Sequence, residues 1–273
     1  MGIIIGIDVG GSTTKIVGIK AEEMFPPLFI KASDPVSSLF GAFGRYLYEN
    51  KIALSDIEHI VLTGVGAAFI NEPLYGVPTT KTDEFVANAL GARFRMKLDK
   101  LIVVSMGTGT SYIQVDGDNF QHVGGMGIGG GTLQGLSRLL LNNDNVIQVA
   151  EMALKGKAQN VNLNIGDICK YELPNLPLFA TASSFGKVRG NEQLEDLACG
   201  LITMVFESIG QGAYFTSLNS GIKDFVLIGN LTRLPQCKKV FANMEKIYKV
   251  NYIIPSYAEY RTALGAALSY GTL

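Results

Sequence analysis

The chain has few cysteines, no excess of one charge and no long hydrophobic run, and each absence excludes a class of protein. Its three cysteines, Cys169, Cys199 and Cys237, lie far apart and form no CxxC pair. This spacing argues against a structural zinc or iron–sulfur site and favours reduced thiols in a cytoplasmic protein. The formal net charge is −1 and there is no basic run, which argues against nucleic acid as a partner.

Segments typical of membrane and secreted proteins are also absent from the pattern. The most apolar helical stretch, residues 197–215, is interrupted by Glu207 and Gln211 and is therefore a poor membrane span. The first residues read directly as a strand rather than as a signal peptide. A chain of 273 residues with 47% hydrophobic residues can bury a sizeable core and fits two domains of ordinary size.

The stretch 101–141 organises the rest of the chain. An apolar strand at 101–105 leads into a Gly/Thr turn, Gly107-Thr108-Gly109-Thr110-Ser111, and a second strand follows at 112–123. The loop 124–131 then contains six glycines and precedes an amphipathic helix that we expect to begin at Leu133. Glycine lets backbone N–H groups approach a ligand, and a helix N-terminus adds unpaired donors. We therefore predict a phosphate site, with a mobile glycine-rich loop as the alternative.

A similar strand, turn and strand opens the chain. The run at 2–8 ends in Asp8, and a second β-branched run follows at 16–19. The turn between them contributes Gly10, Gly11, Ser12, Thr13, Thr14 and Lys15. An aspartate at a strand end beside such a turn suits a Mg²⁺–phosphate contact, although many Gly-Gly turns close hairpins without a ligand.

The remaining pattern alternates helices and strands. The helix predicted at 84–95 has Thr82 or Asp83 as its N-cap, so Glu84 lies in its first turn, where a negative charge commonly complements the helix dipole. The other predicted elements are helices at 37–50, 145–157, 191–218, 236–248 and 259–270, strands at 59–63, 224–228 and 251–254, an irregular segment at 171–179 and a loop at 180–186. We expect helix 191–218 to be a core or subunit-contact helix.

The strand–turn–strand arrangement therefore occurs twice, each time followed by helices and strands. This repetition predicts an α/β protein of two similar domains, and the charged connector 97–100 places the boundary between 1–98 and 99–273. Two hairpin tips would allow nucleotide phosphates to be held in a cleft between the domains.

These motifs resemble those of the acetate kinase/sugar kinase/Hsp70/actin superfamily, whose domains are ribonuclease H-like. Within it the chain is most similar to type II pantothenate kinases. The pieces that match, in order, are Asp8-Val-Gly-Gly, Leu62-Thr-Gly64, Glu84-Phe85, Gly107-Thr-Gly-Thr-Ser111, 123–131, Ala182-Ser-Ser-Phe-Gly186, Ile228-Gly229 and 263–266.

The resemblance implies that the protein uses ATP and Mg²⁺ to phosphorylate the primary hydroxyl of pantothenate, the first step of coenzyme A synthesis, as a cytoplasmic homodimer. It also implies a role for individual residues. The catalytic residues would be Glu84 as base, Asp8 at the metal, and His122. The residues that bind the substrate would be Glu84, Thr108, Ser111 and His122. The residues that bind the nucleotide would be 10–15, Gly107, Thr108, Gly109, Gly129, Gly130, Gly131, Thr132, Leu133, Gln134, Gly229 and Asn230.

The chain departs from the family pattern at two positions. An arginine usually precedes the Val-Gly-Gly step, and His122 stands there instead, with a smaller charge and no bidentate fork. Either His122 performs a weaker version of the role, or Lys187 or Arg189 replaces it, or the substrate differs. In addition, Val146 occupies the position of a tyrosine that stacks near adenine.

Two alternative functions remain open from the sequence. One is another small-metabolite kinase of the superfamily, acting on pantetheine, a sugar or an N-acetylhexosamine, although the zinc motif of repressor-related sugar kinases is missing. The other is an ATP-driven dehydratase activator, whose opening hairpin is very similar. Activators hold an iron–sulfur cluster through cysteines near the second phosphate turn, whereas no cysteine precedes Cys169 here.

Overall fold

The computed structural model describes residues 2–21, 23–31, 34–71, 73–171 and 176–271. Contacts divide the chain into two compact units. The first unit comprises Met1–Asp99, Val115–His122 and Pro255–Leu273, and the second comprises Lys100–Gln114 and Val123–Ile254. In the described part of the chain, no helix is both long and apolar enough to cross a membrane.

The first unit is built on a six-stranded mixed sheet. Its strands are β1 (Ile3–Val9), β2 (Thr13–Lys20), β3 (Glu23–Met24), β4 (Leu28–Lys31), β5 (Ile57–Thr63) and β6 (Thr79–Lys81). Their order is β3-β2-β1-β5-β6, and β4 also pairs with β2. Strand β1 is antiparallel to β2 and parallel to β5, which is in turn parallel to β6. The carboxyl ends of β1, β5 and β6 therefore lie at the same edge of the sheet.

Helices cover both faces of this sheet. The helices are α1 (Pro35–Asn50), α2 (Glu84–Arg93) and, at the end of the chain, α8 (Arg261–Ser269). Strand β1 is buried along its whole length. Its alternate residues Ile3, Ile5, Ile7 and Val9 pack into a core with α1, whereas Ile4 packs with α2 and α8. A continuous apolar strand is the pattern expected of a strand that is buried on both faces.

Backbone contacts join α8 to α2 and to β1. A Cβ atom on Gly265 would lie 1.7 Å from the carbonyl oxygen of Ala87, and one on Gly91 would lie 1.8 Å from that of Arg261. A Cβ atom on Gly6 would lie 1.9 Å from the carbonyl oxygen of Ala263. Only glycine permits this separation, so the three positions fix how closely α8 approaches its neighbours.

Arg261 caps the C-terminal end of α2. Its Nη1 donates to the carbonyl oxygens of Gly91 and Phe94 at 3.0 and 2.9 Å, and its Nε and Nη2 donate to that of Ser256. Loss of solvent contact lowers the pKa of Arg261 to about 10. The guanidinium therefore satisfies helix carbonyls that would otherwise lack donors.

The second unit has a five-stranded sheet covered by helices. Its strands are β7 (Lys100–Met106), β8 (Thr110–Asp116), β9 (Asn119–Met126), β12 (Asp224–Ile228) and β13 (Asn251–Ile253), in the order β13-β12-β7-β8-β9. Its helices are α3 (Gly130–Leu141), α4 (Val146–Ala153), α5 (Ile165–Ile168), α6 (Leu194–Ser217) and α7 (Gln236–Tyr248). A two-stranded sheet joins β10 (Leu163–Asn164) to β11 (Thr181–Ser183).

Helix α6 is a core helix of this unit. Its buried residues include Leu201, Val205, Phe206 and Ile209, which belong to the largest apolar cluster with the sheet and α7. The helix predicted at 191–218 as a core or subunit-contact helix is therefore a core helix in this structure.

Several element predictions need correction. Strand β9 runs through Gly124 to Met126, and α3 begins at Gly130 rather than Leu133, so the glycine loop is shorter than predicted. The predicted loop 180–186 contains β11. The predicted irregular segment 171–179 lies partly outside the described residues, because 172–175 are not among them.

The contact division also differs from the predicted domains 1–98 and 99–273 at two segments. Residues 115–122 and 255–273 group with the first unit. The reason for the second segment is α8, whose small residues pack on β1 and α2. The first segment is the outer part of the β8–β9 hairpin.

Candidate functional site

A polar group of residues lies at the carboxyl edge of the first sheet. Asp8 pairs with Lys15 of β2 on one side and with Thr63 of β5 on the other. The Nζ of Lys15 is 3.2 Å from Oδ2 of Asp8, and both side chains are buried. Residues paired across strands point to the same face, so the three side chains form one cluster.

Thr63 and Gly64 belong to this cluster, and sequence reasoning gave neither a role. The Oγ1 of Thr63 is buried and has no hydrogen-bond partner among the described residues. Gly64 has φ +85°, and a Cβ atom there would lie 2.7 Å from Oδ1 of Asp8. Their position at a strand end before a glycine was the available signal. The unpaired hydroxyl is a polar atom free to meet a ligand.

Glu84 lies beside this cluster at the first turn of α2. Asp83 caps the helix by accepting hydrogen bonds from the N–H groups of Phe85 and Val86. The Glu84 carboxylate is therefore not needed as the helix cap. Glu84 is exposed as a whole residue, yet neighbouring protein atoms displace part of the water around its carboxyl group. This desolvation, followed by the negative charge of Asp8, raises the pKa of Glu84, and Lys15 opposes the rise. Such a carboxylate is a better proton acceptor than an ordinary surface glutamate.

His122 lies next to the same helix. Its ring stacks on Phe85, with 4.3 Å between the ring centroids and 15° between the planes. His122 is exposed. The structure thus brings together four of the predicted residues, Asp8, Lys15, Glu84 and, through Phe85, His122.

The turn between β1 and β2 is held by one backbone hydrogen bond, from the N–H of Gly10 to the carbonyl of Thr13 at 2.9 Å. Gly11 and Ser12 are exposed, and a Cβ atom on Gly11 would meet nothing within 4 Å. Thr14, in contrast, pairs with Val9 and is fully buried. Its Oγ1, like that of Thr63, is buried without a hydrogen-bond partner among the described residues.

In the second unit, the turn at 107–109 packs on the start of α3. The N–H groups of Gly130 and Gly131 donate to the carbonyls of Gly107 and Thr108 at 2.8 and 2.9 Å. A Cβ atom on Gly129 would lie 2.6 Å from the carbonyl oxygen of Thr108. These glycines therefore serve close backbone packing, and the two N–H groups that we expected to face phosphate are already used within the protein.

The other predicted residues of this loop differ in accessibility. Thr132 Oγ1 donates to the carbonyl of Gly127 at 2.6 Å. Leu133 is fully buried in the core, so its side chain is not a ligand contact. Gln134 and Thr108 are exposed, whereas Gly109 and Ser111 are half-buried.

Gly229 and Asn230 lie against the same turn. Gly229 has φ +98°, and a Cβ atom there would lie 2.5 Å from the carbonyl oxygen of Met106. The Oδ1 of Asn230 is buried without a hydrogen-bond partner in the described part of the chain. An orphaned acceptor beside a glycine turn fits a polar ligand such as the adenosine end of a nucleotide.

The cation and metal predictions have different outcomes. Lys187 lies in the second unit, where its Nζ contacts Oδ2 of Asp167 at 2.6 Å and donates to the carbonyl of Gln159. Lys187 is therefore committed to other partners. Among the described residues, no three His, Cys, Asp or Glu side chains cluster as a metal site. Asp8 alone fits Mg²⁺ only as a partial ligand, which is how Mg²⁺ often binds beside phosphates.

A comparison with protein families decides the affiliation. The model of the Fumble family matches residues 50–269. The chain belongs to the Fumble family. A type II pantothenate kinase of Bacillus cereus is 26% identical in an alignment that covers 94% of this chain and 90% of that protein. Pantothenate kinase 1 of Oryza sativa is 38% identical over 130 residues, 45% of this chain and 20% of the plant protein.

Solved structures show the same fold at lower identity. The activator of 2-hydroxyisocaproyl-CoA dehydratase from Clostridium difficile, with bound ADPNP, has a TM-score of 0.70 at 17% identity and covers 97% of this chain and 93% of its own. A glucokinase of the ROK family from Streptomyces griseus, with glucose and AMPPNP, has a TM-score of 0.63 at 13% identity, covering 97% and 98%. The chain is thus an α/β protein with mixed sheets that shares the fold of these two proteins, and the α/β class is the one that the motifs predicted.

Proposed function

We propose that this protein is an ATP-dependent pantothenate kinase. The observation that carries the proposal is the position of Glu84 next to the buried pair Asp8–Lys15 at the carboxyl edge of the first sheet, where desolvation, followed by the charge of Asp8, raises its pKa. The named relatives in the Fumble family support pantothenate as the acceptor.

In this mechanism Glu84 accepts the proton of the primary hydroxyl of pantothenate. The hydroxyl oxygen forms a bond to the γ-phosphorus of ATP while the bond from that phosphorus to the bridging oxygen of ADP breaks. The raised pKa of Glu84 matches it to this proton transfer, since a base with a pKa closer to neutral accepts more readily. Lys15 places a positive charge next to the reacting groups.

The remaining residues bind and orient the two substrates. Exposed amides at Gly11 and Ser12, the turn 107–109 and Asn230 would hold ATP, while Thr108, Ser111 and His122 would contact pantothenate. Asp8 would take part in holding Mg²⁺, which neutralises phosphate charge when bound. We also propose a homodimer, which light scattering on the purified protein would test.

The test is ATP consumption by the purified protein with pantothenate, pantetheine, glucose and N-acetylglucosamine offered separately. Turnover with pantothenate above the level without acceptor supports the proposal. Turnover with pantetheine or a sugar alone would overturn the substrate and retain the kinase. Consumption without any acceptor, together with visible absorbance of a brown protein, would instead favour a dehydratase activator.

A further inference from the structure

The outer part of the β8–β9 hairpin is fastened to α2 by an arginine that no prediction included. The Nη1 of Arg93, in the last turn of α2, donates to the carbonyl of Gly117 at 2.6 Å and lies 3.2 Å from Oδ1 of Asp118. Its guanidinium also lies over the ring of Phe120, 5.9 Å from the centroid. All three partners belong to the tip of the hairpin.

The contact to Gly117 carries most of this docking. Asp118 is fully exposed, and an ion pair with an exposed partner contributes little. The carbonyl of Gly117 receives a short charge-assisted bond from a side chain that is 26% exposed. The N–H of Gly117 in turn donates to the carbonyl of Asp99 at 2.8 Å, so the turn is held on two sides.

His122 lies on β9, which pairs with β8, so the docking of this hairpin on α2 sets where its ring lies. Phe120 and His122 are two residues apart on β9, so both point to the same face, toward α2. There His122 stacks on Phe85, the residue after Glu84. Within the described residues, no hydrogen bond to the His122 ring is present. An exposed ring with one stacking contact keeps its place only if its strand is fixed.

We propose that Arg93 is a positioning residue of the kinase site: it docks the hairpin on α2 and thereby holds His122 over Phe85 beside Glu84. This inference rests on the proposed function for its kinetic consequence but not for its geometry.

The first test follows the His122 ring by NMR and needs no turnover. The chain has two histidines, and His59, which stacks on Tyr270, serves as the internal reference. Phe85→Leu defines the His122 signal without ring stacking. In Arg93→Gln we expect the His122 signal to move toward that position while the His59 signal stays. Arg45→Gln, which removes an exposed arginine on α1 that pairs with Glu49, should move neither.

The second test is kinetic. Arg93→Gln should raise the KM for the acceptor about tenfold, since small misplacements are expensive in an oriented site, and leave the KM for ATP unchanged. Arg93→Lys should recover part of this loss. Because Arg93 acts through His122, adding His122→Gln to Arg93→Gln should cause little further loss.

An unmoved His122 signal in folded Arg93→Gln would overturn the inference, as would fully additive losses in the double variant. Thermal melting identifies a variant that fails to fold, in which case Phe120→Leu, which removes the ring under the Arg93 guanidinium, provides the NMR reading. If the wild-type protein did not phosphorylate pantothenate, the proposed function would fail while the NMR result would still decide the role of Arg93.

Discussion

At the scale of single residues, the chemistry depends on three charged side chains in one unit. Asp8 and Lys15 are buried as a pair, and the charges of both act on Glu84. Asp8 raises the pKa of Glu84 and Lys15 lowers it. Desolvation is the largest cause of the raised pKa. Because a base must be ionised to accept a proton, the rate should fall as the pH falls through this raised pKa.

Removing the negative charge of Asp8 and removing the positive charge of Lys15 should therefore shift the pH profile in opposite directions. The part that shifts is the acid limb, the range of low pH over which kcat/KM falls. The limb should lie above pH 4.5, the ordinary pKa of a glutamate. Asp8→Asn removes a cause that raises the pKa, so the limb should move to lower pH. Lys15→Met removes a cause that lowers it, so the limb should move to higher pH. Both variants should be slower, but the position of the limb remains measurable.

A pH profile that moves in the same direction in both variants, or in neither, would contradict the assignment of Glu84 as base. Asp144→Asn, a change at an exposed residue of the second unit, is a control that should leave the limb in place.

Gly11 tests whether the first turn approaches phosphate. A Cβ atom there would meet nothing within 4 Å, so Gly11→Ala should change the free energy of unfolding by less than about 0.5 kcal/mol. If phosphate oxygens approach this backbone, the added methyl group should raise the KM for ATP. Gly41→Ala, on α1 and equally open, is the matched control. An unchanged KM for ATP in Gly11→Ala would show that ATP does not approach this turn.

At the scale of elements, the close contact between α2 and α8 keeps Glu84 near the first sheet. Gly265→Ala would place a methyl group 1.7 Å from the carbonyl oxygen of Ala87, so the helices must separate. We expect a loss of stability of about 1–3 kcal/mol or more, with reduced turnover because α2 carries Glu84. Urea denaturation measures the first effect and steady-state kinetics the second.

Gly44→Ala is the matched control for this substitution. Gly44 is exposed in the interior of α1, and a Cβ atom there would meet nothing within 4 Å. Replacing glycine by alanine in an open helix position should stabilise the protein by about 0.5–1 kcal/mol. A Gly265→Ala variant as stable as Gly44→Ala would contradict the close packing of the two helices.

Local patterns predicted most of the elements, because periodicity and capping residues are local signals. Helix α2 begins at Glu84, as predicted, and its N-cap is Asp83, one of the two predicted candidates. The Gly-Gly turn after Asp8 closes a hairpin. The start of α3 at Gly130 was missed because a run of glycines gives no helical period. Its first amides are instead satisfied by carbonyls of the 107–108 turn.

The parts of the site that depend on contacts between residues distant in sequence could not be predicted. Asp8 and Lys15 could be proposed from the turn at the end of β1, whereas Glu84 was proposed as the base only because of the family resemblance. The roles of Thr63 and Gly64 depend on which strands are neighbours, and those of Arg93 and Arg261 depend on packing across many residues. The same reason explains why residues 255–273 group with the first unit.

At the scale of the whole molecule, the chain divides the expected tasks between two compact units. The first unit contains the proposed base and its charged neighbours, and the second contains the turn 107–109 with Asn230. Membership in the Fumble family and the similarity to proteins named as pantothenate kinases agree with ATP as the proposed substrate. The proposed function therefore depends most on the choice of acceptor.

The most direct test measures phosphopantothenate formed from pantothenate and ATP, by mass spectrometry, for the wild-type protein and Glu84→Gln side by side. We expect one phosphopantothenate for each ADP. We also expect a turnover about 10²–10⁴-fold lower in Glu84→Gln, with ATP binding retained. Asp83→Ser, which keeps a helix cap but removes a charge, should stay close to wild type. No phosphopantothenate from the wild-type protein, or equal turnover in Glu84→Gln, would contradict the account.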